Sequence, residues 1–452
     1  METYDVIVVG AGTAGTLAAK TTANAGLKTL LVESKPREKV GDKVCGDALG
    51  DHHLKELNLG PPNNGAFENR IQGIKIFSPD EENVFTVENK DFRGVMLDRQ
   101  LFGQWLLKKA IDAGASLLDS TMFLEPIIDK GVVRGIVARD KSGKKSKIKS
   151  RVVIDASGYF GVVRNKLPTE MGIEGKLANE DVEICYREIR QLDEEMENTD
   201  YCEIYLNQTN TPGGYMWIFP KKEGQVNAGL GVHMHGNYPS PKEIFYNHTL
   251  TKPIFLGSEI IKMGGGFDPT RRPIDKMVGN GVVLIGDAAS LVNPIHGGGI
   301  GPSMKSGFYA GQAIIEALGK GKATEENLWS YSYKFMRSYG KVQASLDVFR
   351  RFLISTDDTE LNYGMKNKLL TESDILKAGQ GEDFDLKITD KARRVFRGIQ
   401  RPHFLNKLRL TVKLMRHVKS HYEEYPEEPD DFENWRLKTV MLIDQARTKI
   451  QR

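Results

Sequence analysis

Apolar and polar positions along this chain switch between two periods, one suited to strands and one to helices. Residues 4–9 (YDVIVV) are a short β-branched run of the kind a buried parallel strand requires. Gly10, Gly12 and Gly15 cut it off in G-x-G-x-x-G spacing. Residues 17–25 continue with good helix formers up to Gly26, a natural helix stop. Residues 28–32 give a second strand that ends in Glu33. Residues 71–87 read as short strands, 96–111 as an amphipathic helix capped by Asp98, and 114–118 as another strand. Residues 131–139 and 146–154 pair as a hairpin across DKSGKK, ending in VVIDASG. Strand alternation dominates from 181 to about 235, and 282–318 runs strand, glycine-rich loop, long helix. Beyond 345 the chain turns helical and charged.

This order predicts an α/β chain, α+β overall. A Rossmann-like, three-layer FAD/NAD(P)-binding unit is expected from 1–65, 95–165 and 270–345. An antiparallel-sheet substrate unit is expected from 66–94 and 166–269, and a helical region from 346–452. In the first unit Gly10 permits the tight turn, Gly12 lets backbone approach a pyrophosphate, and Gly15 lets helix pack on strand. Free amides at the helix N-terminus face the phosphates, and Glu33 stands where a carboxylate accepts from ribose hydroxyls. The motif predicts a dinucleotide site without saying which dinucleotide.

Composition narrows the class. The 452 residues are 40% hydrophobic and 27% charged, the balance of a folded globular chain. A net charge of +3 gives no argument for nucleic acid. No run of 18 apolar residues occurs, so a cytoplasmic protein without a membrane-spanning helix or signal peptide is expected. Three cysteines, Cys45, Cys185 and Cys202, without C-x-x-C argue against a disulfide framework and a four-cysteine cluster. Residues 391–421 carry ten Lys or Arg and no acid, while 423–433 carries seven acids and no Lys or Arg. Leu405, Leu408, Val412, Met415 and Tyr422 recur there at helical spacing. This reads two ways: a basic amphipathic helix at the inner membrane face, or a helix packed on the body and neutralised by the acidic tail.

A second constellation changes the picture. Gly286-Asp287 follows a strand, and Asn293-Pro294-Ile295-His296-Gly297-Gly298-Gly299-Ile300-Gly301 opens a long helix. The amides near Gly299 and Ile300 suit an electron-rich ring edge, and Asp287 suits a sugar-alcohol hydroxyl. With both motifs the chain resembles the FAD-dependent para-hydroxybenzoate hydroxylase superfamily. Within it the chain is similar to the geranylgeranyl reductase family, across essentially its whole length. Lys43-Val44-Cys45-Gly46-Asp47-Ala48 matches the family's cysteine loop, and Arg99 matches the arginine directed at the nucleotide half of FAD. Asp155-Ala156-Ser157-Gly158 with Arg164 matches a further FAD-contacting element, and Tyr215–Pro220 matches the Y-x-W-x-F-P signature. The resemblance implies FAD contacts from Gly10, Gly12, Ala14, Gly15, Glu33, Cys45, Gly46, Ala48, Arg99, Met122, Asp287, Gly299 and Ile300.

The resemblance further implies saturation of geranylgeranyl chains, in archaeal-type systems on a glycerophospholipid. Tyr215, Trp217 and Phe219 alternate, so they share one face of an extended segment and suit an apolar wall for a polyprenyl chain. An isoprenoid double bond is unactivated, so its reduction needs a proton on one carbon and hydride from flavin N5 on the other. Cys45 and Tyr215 are the candidate proton sources, and Trp217 a candidate stabiliser of developing positive charge. His296 is a candidate substrate contact or a hydrogen-bonded loop histidine. His52-His53 and His233-x-His235 lack a third ligand, so no metal is expected. The electron donor is left between NADPH and a ferredoxin, because no second G-x-G-x-x-G occurs. Rival readings are a flavin monooxygenase or halogenase on an apolar substrate, and a non-catalytic prenyl-lipid carrier.

Overall fold

A computed structural model describes residues 3–88, 93–236, 238–375 and 401–450. Five parallel strands form the centre of an eight-stranded sheet, in the order Val282–Leu284, Lys145–Asp155, Thr3–Val9, Thr29–Val32, Ser116–Leu118. Met122–Asp129 and Val132–Arg139 extend it as an antiparallel ribbon, and the predicted hairpin across 140–144 is present. Val6, Ile7 and Val8 are fully buried, as a strand covered on both faces demands. Helix Thr13–Asn24 starts four residues earlier than its pattern of helix formers predicts, because Gly12 serves as its N-cap. It crosses helix Ile300–Gly319 closely: a Cβ on Gly307 would lie 2.3 Å from the Ala14 carbonyl oxygen. Helix Arg99–Asp112 begins where expected, with the Asp98 carboxylate accepting from the Leu101 amide at 2.9 Å.

A second, seven-stranded sheet takes strands Gly73–Phe77, Val84–Glu88, Glu183–Gln191, Tyr201–Tyr205, Met216–Pro220, Gln225–His233 and Glu259–Asp268. Their order runs from Glu259–Asp268 at one edge to Val84–Glu88 at the other. A third sheet joins Ala48–Gly50, Gly94–Leu97 and Phe67–Ile71, drawing strands from both sides of positions 65/66 and 94/95.

The C-terminal helices resolve the ambiguous apolar stripe. Helix Pro402–Glu423 lies along Lys341–Ile354 and Phe432–Ile450, burying Leu405, Leu408, Val412, Met415 and Tyr422. The reading of that stripe as a membrane-facing surface is therefore corrected: it is the inner face of a helical layer. The acids that follow find cations elsewhere. Glu423 pairs with Lys341 at 2.9 Å, Glu427 with Arg337 at 3.1 Å, and Glu433 with Arg436 at 2.8 Å. Residues 391–400, the first part of the basic run, lie outside the described residues. Among the described residues no helix is long and apolar enough to cross a membrane.

Candidate active site

The loops that leave the carboxyl ends of the parallel strands meet at one crevice, as the topology of such sheets requires. Gly10 has φ +106°, and a Cβ there would lie 2.4 Å from the Ala156 carbonyl oxygen. A Cβ on Gly15 would lie 2.0 Å from the Gly10 carbonyl oxygen, whereas one on Gly12 would meet nothing within 4 Å. Packing thus demands the first and third glycines, and the middle one opens on space. Ala14 is buried under Gly286, which ties the first motif to the second. Glu33 accepts from the Ala11 amide at 2.9 Å, and its backbone carbonyl accepts from the amide of Thr121, the residue before Met122. Arg99 reaches Thr13 through Nη2 at 3.4 Å, while its Nε and Nη1 are buried without a partner. An unsatisfied guanidinium edge beside an open helix N-terminus fits a pyrophosphate.

Behind this end, Asp155 acts as a clamp. It accepts from the Ser157 amide and hydroxyl and from the Val163 and Arg164 amides, and Arg164 donates to the Ala288 carbonyl at 2.7 Å. The D-A-S-G element therefore holds the Gly10 turn and the Gly286 turn in one register.

At the other end Asp287 accepts from Lys43 Nζ at 2.7 Å, and the neighbouring carboxylate raises the Lys43 ammonium above its ordinary value. Gly299 caps helix Ile300–Gly319, and a Cβ on it would lie 3.4 Å from Asp287 Oδ1. Asn293 shapes the loop by accepting from the Ile295 amide at 2.9 Å. His296 accepts from the Gly298 amide through Nδ1 at 3.1 Å, so it is a loop-bonded histidine whose ring also lines the cavity. The loop before Lys43 is docked on helix Arg99–Asp112 by Gln104, which donates to the Arg37 and Val40 carbonyls at 2.8 Å.

Between these loops and the second sheet lies a cavity of about 1240 Å³. Tyr215, Trp217 and Phe219 share its wall, with ring centroids 6.0 and 6.2 Å apart in succession. Tyr215 donates its hydroxyl to the His296 carbonyl at 2.7 Å, which joins wall to loop. Trp217 Nε1 donates to Asn227 Oδ1 at 3.0 Å, and Asn227 Nδ2 donates to the Cys45 carbonyl at 2.8 Å and Asp47 Oδ2 at 2.7 Å. Asp47, at φ +68°, also receives Lys221 Nζ at 3.1 Å. Gly46 lies against the Phe219 ring, and Cys45 and Ala48 line the same cavity. Burial pushes the Cys45 thiol up and the Tyr215 phenol well above its usual range. Both are therefore protonated at neutral pH, and each also shapes the cavity wall.

Three features lay beyond the sequence reading: Lys43 as partner of Asp287, Asn227 as the hub behind Trp217, and two carboxylates, Glu183 and Asp268, on the cavity wall. One signal for them was present. Gly229 and Gly231 alternate on strand Gln225–His233; a Cβ on the first would strike Trp217 at 2.4 Å and on the second Glu183 at 3.2 Å. Glycines at strand period mark a face kept clear. No group of three His, Cys, Asp or Glu side chains among the described residues is arranged to hold a metal.

Comparison with known proteins agrees with this geometry. The geranylgeranyl reductase catalytic domain family matches residues 181–267, and the glucose inhibited division protein A family matches 5–199. A geranylgeranyl bacteriochlorophyll reductase-like protein of Thermoplasma acidophilum superposes with TM-score 0.76 at 25% identity, covering 91% of this chain and 100% of that one. The flavin-dependent brominase Bmp2, at 22% identity and TM-score 0.65 over 89% of this chain and 99% of its own, shares the fold. The digeranylgeranylglycerophospholipid reductase of Methanothrix thermoacetophila is 34% identical over 79% of this chain and 89% of its own length. That of Sulfolobus acidocaldarius is 40% identical over 98% of both chains. With identity of that level from end to end, the chain belongs to the digeranylgeranylglycerophospholipid reductase family.

Proposed function

We propose that this protein is an FAD-dependent reductase that saturates C=C bonds of geranylgeranyl chains on archaeal-type membrane phospholipid precursors. The observation that carries this reading is the aromatic-walled cavity ending at the Asp287–Gly299 loop. Gly12 and Arg99 hold the pyrophosphate of FAD, and Glu33 its ribose. Asp287, with Lys43 beside it, and the amides at Gly299 and Ile300 hold the flavin end. When bound, FAD supplies hydride to one carbon of the double bond. The chain's own residues do the rest. Trp217, fixed by Asn227, presents its face to positive charge developing on the substituted carbon. Tyr215 ties the wall to the His296 loop, and Phe219 with Ile204 excludes water from the prenyl chain. On this reading 1–65, 95–165 and 270–345 serve the cofactor, and 66–94 and 166–269 the substrate.

Contact with the membrane is electrostatic on this proposal, through exposed Arg409, Lys413 and Arg416 on the outer face of helix Pro402–Glu423, since the inner face is buried. The test is mass spectrometry of a prenylated-phospholipid mixture incubated anaerobically with dithionite-reduced enzyme. Chains gaining hydrogen in pairs are expected; oxygen-dependent hydroxylated products would install the monooxygenase reading instead. Replacing dithionite by NADPH or a reduced ferredoxin names the donor. Repeating the assay on anionic vesicles at rising salt reads the membrane contact, with turnover expected to fall.

A further inference from the structure

We propose that Asp268 delivers the proton of this reduction and that Glu183, on the adjoining strand, is the positioning acid that recharges it. The inference rests on the reductase reading of the cavity and assigns the group that reading leaves open.

The placement follows from strand register. Glu183 stands directly opposite Asp268 where strands Glu183–Gln191 and Glu259–Asp268 pair. Residues facing each other across such a pair share one face of the sheet. That face is the one carrying Cys185 and, two strands over, Tyr215 and Trp217. Glu183, Cys185, Tyr215, Trp217 and Asp268 all line the cavity. The site where a Cβ on Gly297 would sit is 3.4 Å from Asp268 Oδ2 and 4.0 Å from the Tyr215 hydroxyl. The acid therefore abuts the same glycine loop that continues to Gly299 and Ile300. Glu183 Oε2 occupies space that exists because position 231 is glycine.

The electrostatics suit the task. Burial pushes Asp268 up to about 6; the Asp287 charge adds to this and Lys43 opposes it. Burial pushes Glu183 up to about 8; Asp268 adds to this and Arg350 opposes it. His233, on the opposite flank of Glu183, is held neutral by burial, at about 4. Two carboxyls facing each other across a strand pair do not both ionise readily, so the pair holds one proton at neutral pH; it rests on Glu183, the higher of the two, and passes to Asp268 before the transfer. An acid near 6 releases it far more readily than the buried Cys45 thiol or Tyr215 phenol. In the step, the O–H bond of Asp268 breaks and a C–H bond forms at the less substituted alkene carbon. The other carbon takes hydride, with its electron pair, from the reduced flavin. Glu183 then recovers a proton from solvent, and the Asp268 carboxylate from Glu183.

The test compares wild type with Asp268→Asn, Asp268→Glu and Glu183→Gln as FAD-loaded proteins. Chain saturation is read by mass spectrometry, and FAD content by absorbance. A third readout is the infrared carbonyl band of protonated carboxyl groups at neutral pH. Asp268→Asn is expected to lower saturation about a hundredfold or more with FAD content unchanged, and Asp268→Glu to restore part of it. Glu183→Gln is expected to remove protonated-carboxyl intensity and to move the alkaline limb of the pH profile down, from the Glu183 value towards that of Asp268. Saturation by Asp268→Asn within roughly threefold of wild type would overturn the assignment. So would a carboxyl band that neither Glu183→Gln nor Asp268→Asn alters. Wild-type enzyme that carries FAD but saturates no prenyl chain would instead sink the reductase reading, while the infrared band still reports on the carboxyl pair.

Discussion

The glycines of the first motif separate two kinds of necessity at single residues. An added Cβ at Gly15 meets the Gly10 carbonyl at 2.0 Å, and at Gly12 it meets nothing. Gly15→Ala must move backbone against backbone, so it is expected to lower stability by about 2 kcal/mol or more in urea unfolding. Gly12→Ala is expected to unfold within about 1 kcal/mol of wild type yet to purify without flavin absorbance. Retention of full FAD by Gly12→Ala would remove that position from the pyrophosphate site. These roles were legible in the chain because the turn, the Gly10–Gly15 contact and the helix start lie within one strand–turn–helix unit, even though Ala156 also packs against it. Asn227 was not legible. Its contacts to Cys45 and Asp47 span 182 and 180 positions, and although Gly229 and Gly231 mark a face kept clear, they do not single out Asn227 as the hub. Glu183 and Asp268 were hidden in the same way, since only the register of two distant strands sets them opposite each other.

Elements show the same limit one level up. The apolar stripe of helix Pro402–Glu423 was visible at helical spacing, but periodicity reports that a face is covered and not by what. The cover is helical, and a histidine lies within it. His421 is buried, stacks on Trp435 at 4.9 Å, and its Nε2 lies 2.8 Å from the Thr439 hydroxyl. Burial lowers it from 6.5 to about 4. The fold therefore favours the neutral ring, and the unfolded chain binds the extra proton more readily. The stability held by this group is complete above pH 6.5 and drains away as pH falls towards 4. The urea midpoint of wild type is expected to drop across that window, and His421→Gln to show a shallower drop. His53 and His233, which burial also holds neutral, leave part of the slope in place. An unchanged slope in His421→Gln would show that the helix contact tolerates the charged ring.

At the scale of the whole molecule, the cavity couples the two large sheets and has a direction. Strand order in the second sheet places Glu183–Gln191, carrying Glu183 and Cys185, four strands from Gly73–Phe77, which carries Ile74. At about 4.8 Å per strand, that is roughly 19 Å of wall. The charged residues Lys43, Asp268 and Asp287 cluster near one end, and Ile71, Ile74, Cys202 and Ile204 line the other. An apolar chain with a reacting double bond near the flavin would lie across the sheet, its remaining length towards Ile204. Ile204 stands directly opposite Trp217 on the adjoining strand, so it shares the cavity face. Ile204→Trp enlarges a side chain that lines the cavity and packs with Trp217 and Phe219. The variant is expected to keep wild-type FAD content and wild-type rates on short prenyl chains. Its rate on geranylgeranyl chains is expected to fall about tenfold or more, a loss of about 1.4 kcal/mol in transition-state binding. Competition between short and long substrates in one mixture, read by mass spectrometry, measures that ratio without reference to enzyme concentration. Equal loss on both lengths would mean that the chain enters from the Ile204 side, and the direction assigned to the cavity would then be reversed.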